Sequence, residues 1–282
     1  MILIADSGST KTHWRLIHSN GKEEDFLSVG LNPYHHSEEN FPRVLTSSIA
    51  GFFDVDKVTQ VYFYGSGCAL ETMNLRVSQA LSNLFTKADV SVFSDVIGAA
   101  RALFGNENGL VLILGTGSSV AYYDGQNVIS RTPSLGYLLG DEGSATHICK
   151  ELLIKWLYGD LSLDLIHSLQ QFCSYPVGEI LGKVYSQSSP VKFLTSFMQF
   201  IAENINQPEI SDIVESSFTD LTRRHLVKYP EFPNSRIGVV GSVGAMFKPQ
   251  LETVLKRFGG QLYCAEQYPI GGLATFHRQN FY

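Results

Sequence analysis

Cysteine is scarce in this sequence: four among 282 residues, Cys68, Cys149, Cys173 and Cys264, scattered and without a C-x-x-C spacing. No disulfide framework or thiolate metal site follows from that spacing, and reduced thiols in a cytoplasmic protein are the plain expectation. Charge is also sparse. Charged residues make up 17%, the net charge is −6, and no Lys/Arg cluster stands out. A nucleic-acid surface or an anionic-membrane surface needs such a cluster, so neither partner is expected. Long apolar runs are missing too. None approaches the about 18 residues of a spanning helix, and the first is too short for a signal peptide. What remains is a chain that is 44% hydrophobic, the profile of an ordinary globular protein with one large domain or two smaller ones.

What is present is a repeat. Leu3-Ile4-Ala5-Asp6-Ser7-Gly8-Ser9-Thr10-Lys11-Thr12 has a partner in Leu112-Ile113-Leu114-Gly115-Thr116-Gly117-Ser118-Ser119. Each copy is an apolar run, a turn of Gly, Ser and Thr, and a second run with strand character. Each second run ends at a hairpin-type turn, Ser19-Asn20-Gly21 or Asp124-Gly125. Glycines let a backbone approach a ligand, and successive N–H groups form an anion-binding concavity. Asp6 in such a loop repels a bare phosphate but suits one carrying Mg²⁺. A single copy reads better as an ordinary Gly-rich hairpin; two copies with the same flanks favour polyphosphate binding.

Asp6-Ser7-Gly8-Ser9-Thr10-Lys11-Thr12 resembles the first phosphate loop of the sugar kinase/Hsp70/actin superfamily, in its N-acetylglucosamine kinase-like (BadF/BadG/BcrA/BcrD) branch. Leu114-Gly115-Thr116-Gly117-Ser118 resembles the second loop of that branch. The resemblance implies an α/β chain of two actin-like (ribonuclease H-like) domains flanking an ATP cleft. The first domain would span 1–108, joined by a C-terminal helix at 268–282. The second would span 109–267 with a helical insertion at about 145–230. Met1 leaves no room for the DNA-binding extension of a related sugar-sensing regulator.

The elements between the loops fit an α/β reading. Apolar spacing predicts a helix over 38–52, a strand Val58–Tyr64, a helix over 70–85, a short strand at Val90–Phe93 and a helix Val96–Phe104. Phe26–Val29 is a candidate third strand. Asn32-Pro33 marks a loop, since an Asn before Pro leaves the helical region. Asn32 can stabilise that turn or meet sugar hydroxyls, and the resemblance makes it a sugar contact. His35-His36 reads as a solvated pair. The Gly65-Ser66-Gly67 turn lets backbone approach a ligand at a strand's carboxyl end, and Ser66 and Gly67 are read as sugar contacts. Asp95 stands between strand and helix, where a plain N-cap Asp also sits. Ser94-Asp95-Val96-Ile97-Gly98-Ala99-Ala100 is similar to the family's base-bearing motif, which makes Asp95 the catalytic base.

Further on, Gly140-Asp141-Glu142-Gly143-Ser144 is a helix start that also suits hydroxyl binding. By resemblance Asp141 is a sugar ligand, with Glu142 beside it. The family often carries a Trp six residues before this Asp, where Leu135 stands here. From Ala145 to about Tyr229 the pattern is helical, with core stripes at Phe193, Leu194, Phe197, Ile201, Ile205 and at Ile210, Ile213, Val214, Phe218, Leu221, and joints at Pro176, Ser189-Pro190 and Pro208. Arg236–Val240 is a strand, Gly241-Ser242 opens a helix running through Arg257, and the superfamily borders adenosine at this turn. Pro269-Ile270-Gly271-Gly272 opens the last helix.

The resemblance implies ATP-dependent phosphorylation of the 6-hydroxyl of an amino sugar, N-acetylglucosamine first. Asp6 would hold Mg²⁺. Ser9, Thr10, Lys11, Thr116, Gly117 and Ser118 would bind phosphates. Alternatives are glucosamine or N-acetylmuramic acid as substrate, or a BadF-type ATPase activating a dehydratase. That last branch has a different second loop and a cysteine site absent from this pattern. Family kinases are often dimers, so a homodimer is compatible with the reading.

Overall fold

The computed structural model describes residues 1–185 and 190–279. The chain divides into two compact units. One is Met1–Glu107 with Gly125–Val128 and the chain from Tyr268; the other is Asn108–Asp124 with Ile129–Gln267.

The first unit is built on a five-stranded sheet. Its strands are β1 (Ile2–Ser7), β2 (Lys11–Ile17), β3 (Glu23–Val29), β4 (Gln60–Gly65) and β5 (Asp89–Ser94), in the order β3-β2-β1-β4-β5. Three-residue and five-residue turns make β1, β2 and β3 an antiparallel meander. Parallel pairing of β1 with β4 and β4 with β5 requires crossovers, and the helices Phe41–Ile49 and Glu71–Leu84 supply them. β1 is central and covered on both faces, so its Leu3, Ile4 and Ala5 are all fully buried. Trp14, Phe63, Phe41 and Leu81 fill one face. The other face takes Ile4, Tyr64 and the last helix, Ile270–Gln279. That helix packs on the helix Asp95–Phe104 at a close approach: a Cβ on Gly272 would lie 2.2 Å from the Ala102 carbonyl oxygen. The expected end of this helix, 280–282, and the Ser189 joint lie outside the described residues.

The second unit repeats the sheet. β6 (Gly109–Leu114), β7 (Ser118–Tyr123), β8 (Val128–Arg131), β9 (Ile237–Val240) and β10 (Leu262–Glu266) run in the order β10-β9-β6-β7-β8. Read from β8, that is the first sheet's order. β8 has no strong pattern in the sequence: it is four residues, Val-Ile-Ser-Arg, and Ile129 faces outward.

Between β8 and β9 the chain is mainly helical: Ala145–Tyr158, Leu163–Phe172, Val177–Tyr185, Pro190–Thr195, Met198–Glu203 and Pro208–Arg224. The expected stripe from Phe193 to Ile205 is split. Ser196 donates to the Phe193 carbonyl at 2.6 Å and Thr195 to the Val191 carbonyl at 2.9 Å, and such back-bonding competes with helix continuation. The helix expected through Arg257 also divides, into Ser242–Met246 and Lys248–Arg257, because Pro249 has no N–H to bond back to the Ala245 carbonyl and fits only in the first turn of a new helix. Among the described residues no helix is long and apolar enough to cross a membrane.

Candidate active site

The turn from β1 to β2 is three residues, Gly8, Ser9 and Thr10, closed by Gly8 N–H donating to the Lys11 carbonyl at 3.0 Å. Side chains below it hold it in place. The buried Ser7 and Thr12 hydroxyls lie 2.8 Å apart, and Thr12 donates to the Val29 carbonyl. Leu31 N–H donates to Ser7 Oγ. Asn32 is buried; its Nδ2 donates to Ser9 Oγ at 3.1 Å, and its Oδ1 accepts from Tyr34 N–H at 3.0 Å. Gly30 lies so close that a Cβ there would sit 2.4 Å from the Ser9 carbonyl oxygen. Ser9, Thr10 and Lys11 project outward on this base. Lys11 Nζ lies 4.4 Å from the ring centroid of Tyr268.

β1, β4 and β5 are parallel, so Asp6, the Gly65-Ser66-Gly67 turn and Asp95 gather at their carboxyl ends. Ser66 N–H donates to the Ser7 carbonyl, locking the turn to the loop. A Cβ on Gly67, at φ +86°, would meet Asn32 Oδ1 at 2.6 Å, so only glycine lets the turn sit there. Ser94 caps the helix Asp95–Phe104 through Ile97 N–H, and Asp95 is its first residue, accepting from Val96 N–H at 2.9 Å. The cap role open to Asp95 therefore belongs to its neighbour. Burial, and then the charge of Asp95, push the Asp6 carboxyl up to about 7, against the pull of Lys11.

The turn from β6 to β7 is also three residues, Gly115, Thr116 and Gly117, closed by Gly115 N–H donating to the Gly117 carbonyl. Its support is different. The start of helix Ala145–Tyr158 donates to it: Ala145 N–H to the Gly115 carbonyl at 2.9 Å, Thr146 N–H and Oγ1 to the Thr116 carbonyl at 3.2 and 3.0 Å. Asp141 reaches the same turn. Its Oδ1 accepts from Ser118 N–H at 3.4 Å, and its Oδ2 lies 2.9 Å from where a Gly117 Cβ would be. Asp141 is the one non-glycine at positive φ, 61°, among the described residues. Burial raises its pKa, opposed by the Ser118 N–H. Gly241 packs beneath β6, a Cβ there meeting the Leu114 carbonyl oxygen at 2.3 Å, and Ser242 beside it is exposed.

No protein-family model and no curated protein matches this chain. Among solved structures, a Porphyromonas gingivalis protein described as a "putative N-acetylglucosamine kinase" is 32% identical, with 100% of both chains covered and a TM-score of 0.92. The chain belongs to the N-acetylglucosamine kinase-like family. A Chromobacterium violaceum protein of the same description shares the fold at 15% identity, with 98% of both chains covered and a TM-score of 0.73. The actin-like fold is shared more widely: MreB 5 of Spiroplasma citri matches at 10% identity and a TM-score of 0.60, covering 99% of this chain and 96% of its own.

Within the first unit of this family member, Asp6, Ser9, Lys11, Asn32, Ser66, Gly67 and Asp95 converge on one end of the sheet. Within the second, Thr116, Gly117, Ser118 and Asp141 converge on one turn. One sequence expectation changes, and one expected sugar residue has protein partners. Glu142, next to Asp141, is buried, its Oε2 3.1 Å from His225 Nε2 and its Oε1 3.3 Å from Arg224 Nε. Burial works against its charge, and the His225 bond, its own backbone N–H and the charges of His225 and Arg224 together hold its pKa below the ordinary value. His36 is not simply solvated, since its Nε2 lies 3.0 Å from the Gly30 carbonyl oxygen. The supports Ser217, His225 and Tyr268 carry no motif of their own, and Ser7 and Thr12 lie in the first loop motif without a role assigned to them. Ser7 and Thr12 had one available signal, hydroxyl residues at inward-facing strand positions.

Proposed function

We propose that this chain is an ATP-dependent kinase that transfers the γ-phosphoryl group to the 6-hydroxyl of an amino sugar, N-acetylglucosamine first. The observation that carries this reading is the Asp6–Asp95 pair at the carboxyl ends of β1 and β5, beside a Gly-Ser-Thr turn built to expose donors. Asp95 would accept the proton as the sugar oxygen attacks. The new P–O bond forms at that oxygen, and the bond to the departing ADP breaks. Ser9, Thr10 and Lys11, with Thr116, Gly117 and Ser118, would donate to phosphate oxygens. Gly241 and Ser242 would border the adenosine. Asn32, Ser66, Gly67 and Asp141 would orient the sugar.

The donor set fits Mg²⁺. It is oxygen only, and burial and Asp95 disfavour the charge on Asp6, a penalty that a cation relieves. No cluster of three or more metal-ligating side chains occurs among the described residues, so Asp6 would hold the ion through water and phosphate oxygens. When bound, the ion neutralises phosphate charge. Phosphoryl transfer depends mainly on positioning and charge stabilisation, so Asp95 would contribute about 10²–10⁴ of the rate.

The test is ADP release with Mg-ATP and a panel of free sugars, beside Asp95→Asn. Phosphorylation of N-acetylglucosamine, lost in the variant while nucleotide still binds, supports the substrate and the base. Turnover only on glucosamine or N-acetylmuramic acid keeps the mechanism and changes the substrate. ATP hydrolysis that ignores sugar and yields no phosphosugar overturns the kinase reading in favour of the dehydratase-activating ATPase.

A further inference from the structure

The helix Pro208–Arg224 carries its apolar stripe into the core, and three residues spaced four apart, Ser217, the core residue Leu221 and His225 just past its end, also meet the Asp141 loop. Ser217 Oγ accepts from Gly143 N–H at 3.0 Å and lies 2.8 Å from His147 Nδ1. Leu221 fills the space over Gly143, where a Cβ would meet its Cδ2 at 2.9 Å. His225 bridges Glu142 Oε2, at 3.1 Å, and Thr132 Oγ1, at 2.7 Å. Residues four apart lie on one helix face, so a single rigid face holds the loop at three successive points.

We infer that His225 is a positioning residue for substrate selection: through Glu142 it fixes the backbone on which Asp141 is carried, and so holds the Asp141 carboxylate on Ser118. This rests on the kinase reading for what Asp141 then contacts. Asp141 has a left-handed backbone, which a non-glycine residue keeps only when its surroundings impose it. The residue immediately after it is the buried, doubly paired Glu142. Of the two partners of Glu142, His225 is the effective one. Its side chain is 14% exposed, against 63% for Arg224, and an exposed ion pair contributes little. Beyond His225 the chain of contacts ends on β7 and its flank: Thr132 N–H donates to the Tyr229 hydroxyl, which donates to the Val120 carbonyl. The imidazole thus adds a link between the Asp141 loop and the flank of the strand that carries Ser118, beside the Ala145 and Thr146 bonds to the turn.

The experiment compares His225→Leu, His225→Gln and Arg224→Ala. With the full-length enzyme, His225→Leu is expected to raise the KM for the sugar at least tenfold while the KM for ATP stays within twofold. His225→Gln, which keeps a donor toward Glu142, restores most of the loss, and Arg224→Ala stays within twofold. A second readout needs no turnover. Amide hydrogen exchange over 115–118 and 140–144 is expected to quicken at least tenfold in His225→Leu, with the sheet amides unchanged. An unchanged sugar KM, a rise in both KM values together, or unchanged exchange in those segments each overturns the proposal. If the unaltered protein phosphorylates no sugar, the kinase reading fails, and the exchange measurement still decides the positioning role. Should His225→Leu not fold, Glu142→Gln with His225 intact is measured by the same exchange readout, with the same expectation.

Discussion

The two hairpin turns occupy the same place in two sheets of the same strand order, yet they are held by different means. The β1–β2 turn rests on side chains from its own unit: the Ser7 and Thr12 hydroxyls, the Asn32 amide and a glycine at position 30 with no room to spare. The β6–β7 turn rests on the start of a helix and on Asp141, which comes from a loop more than twenty residues away. The first turn has a carboxylate, Asp6, on its own strand; at the paired place in the second, β6 has Ile113. Topology therefore sets where a turn lies, and the residues around it set what it can bind. A duplicated sheet gives two equivalent positions, and only one of them has the carboxylate pair.

The largest test of that asymmetry is Asp95→Asn. It should lower kcat by about 10²–10⁴ with nucleotide binding retained, measured by ADP release beside a nucleotide titration. A variant that keeps near-normal kcat would remove the chemistry from the first unit. Next, Gly30→Ala should cost about 2–4 kcal/mol of stability, because its Cβ would collide with backbone that cannot swing away. Denaturant unfolding measures this. Gly115→Ala, in the β6–β7 turn itself, has open space and should stay within about 0.5 kcal/mol. Equal costs would mean that the two turns are supported alike.

A third test uses acid. His277 is buried against Tyr64, its Nε2 2.8 Å from the Tyr64 hydroxyl, and burial, then the Arg101 charge, push its pKa down to about 3. The unfolded chain takes up this proton near the ordinary value of 6.5. As pH falls below 6.5 His277 therefore contributes a loss of about 1.4 kcal/mol per pH unit, roughly 2 kcal/mol at pH 5, opposed by Asp6, whose raised pKa lets the folded state take up a proton through the same range. His147 in the second unit shifts the same way as His277, through burial and then Lys150. Unfolding midpoints between pH 7 and pH 5 for the unaltered chain and for His277→Gln measure the difference; an unchanged slope in the variant would place the acid sensitivity outside His277. The smallest effect is Tyr268→Ala. Removing the ring beneath Lys11 should cost about 0.5–1 kcal/mol of ATP affinity, a few-fold in Kd.

Much of this was legible in the sequence. The repeat of apolar run, Gly-Ser-Thr turn and second run is local, and local backbone chemistry is what sequence pattern reports, so both hairpins and the α/β class followed from it. Asp95 was legible as a strand-to-helix carboxylate, but its relation to Ser94 was not, because two adjacent capping residues compete and geometry selects one. β8 was missed because four mixed residues with an outward Ile carry no period. The helices that broke at Ser196 and before Pro249 kept their apolar spacing, and only the competing hydrogen bonds and the proline ring decided where they ended.

The sequence by itself determined most of the elements, the repeated hairpin and which residue types stand at the turns, since these depend on neighbours a few positions away. The tertiary structure alone decided what each polar group faces. Asn32 became a buried support of Ser9, Glu142 an anchor to His225 rather than a free carboxylate, and Asp141 a partner of Ser118. Each pairing joins residues more than twenty positions apart. A buried polar group must find a partner wherever packing brings one, and spacing along the chain does not encode which.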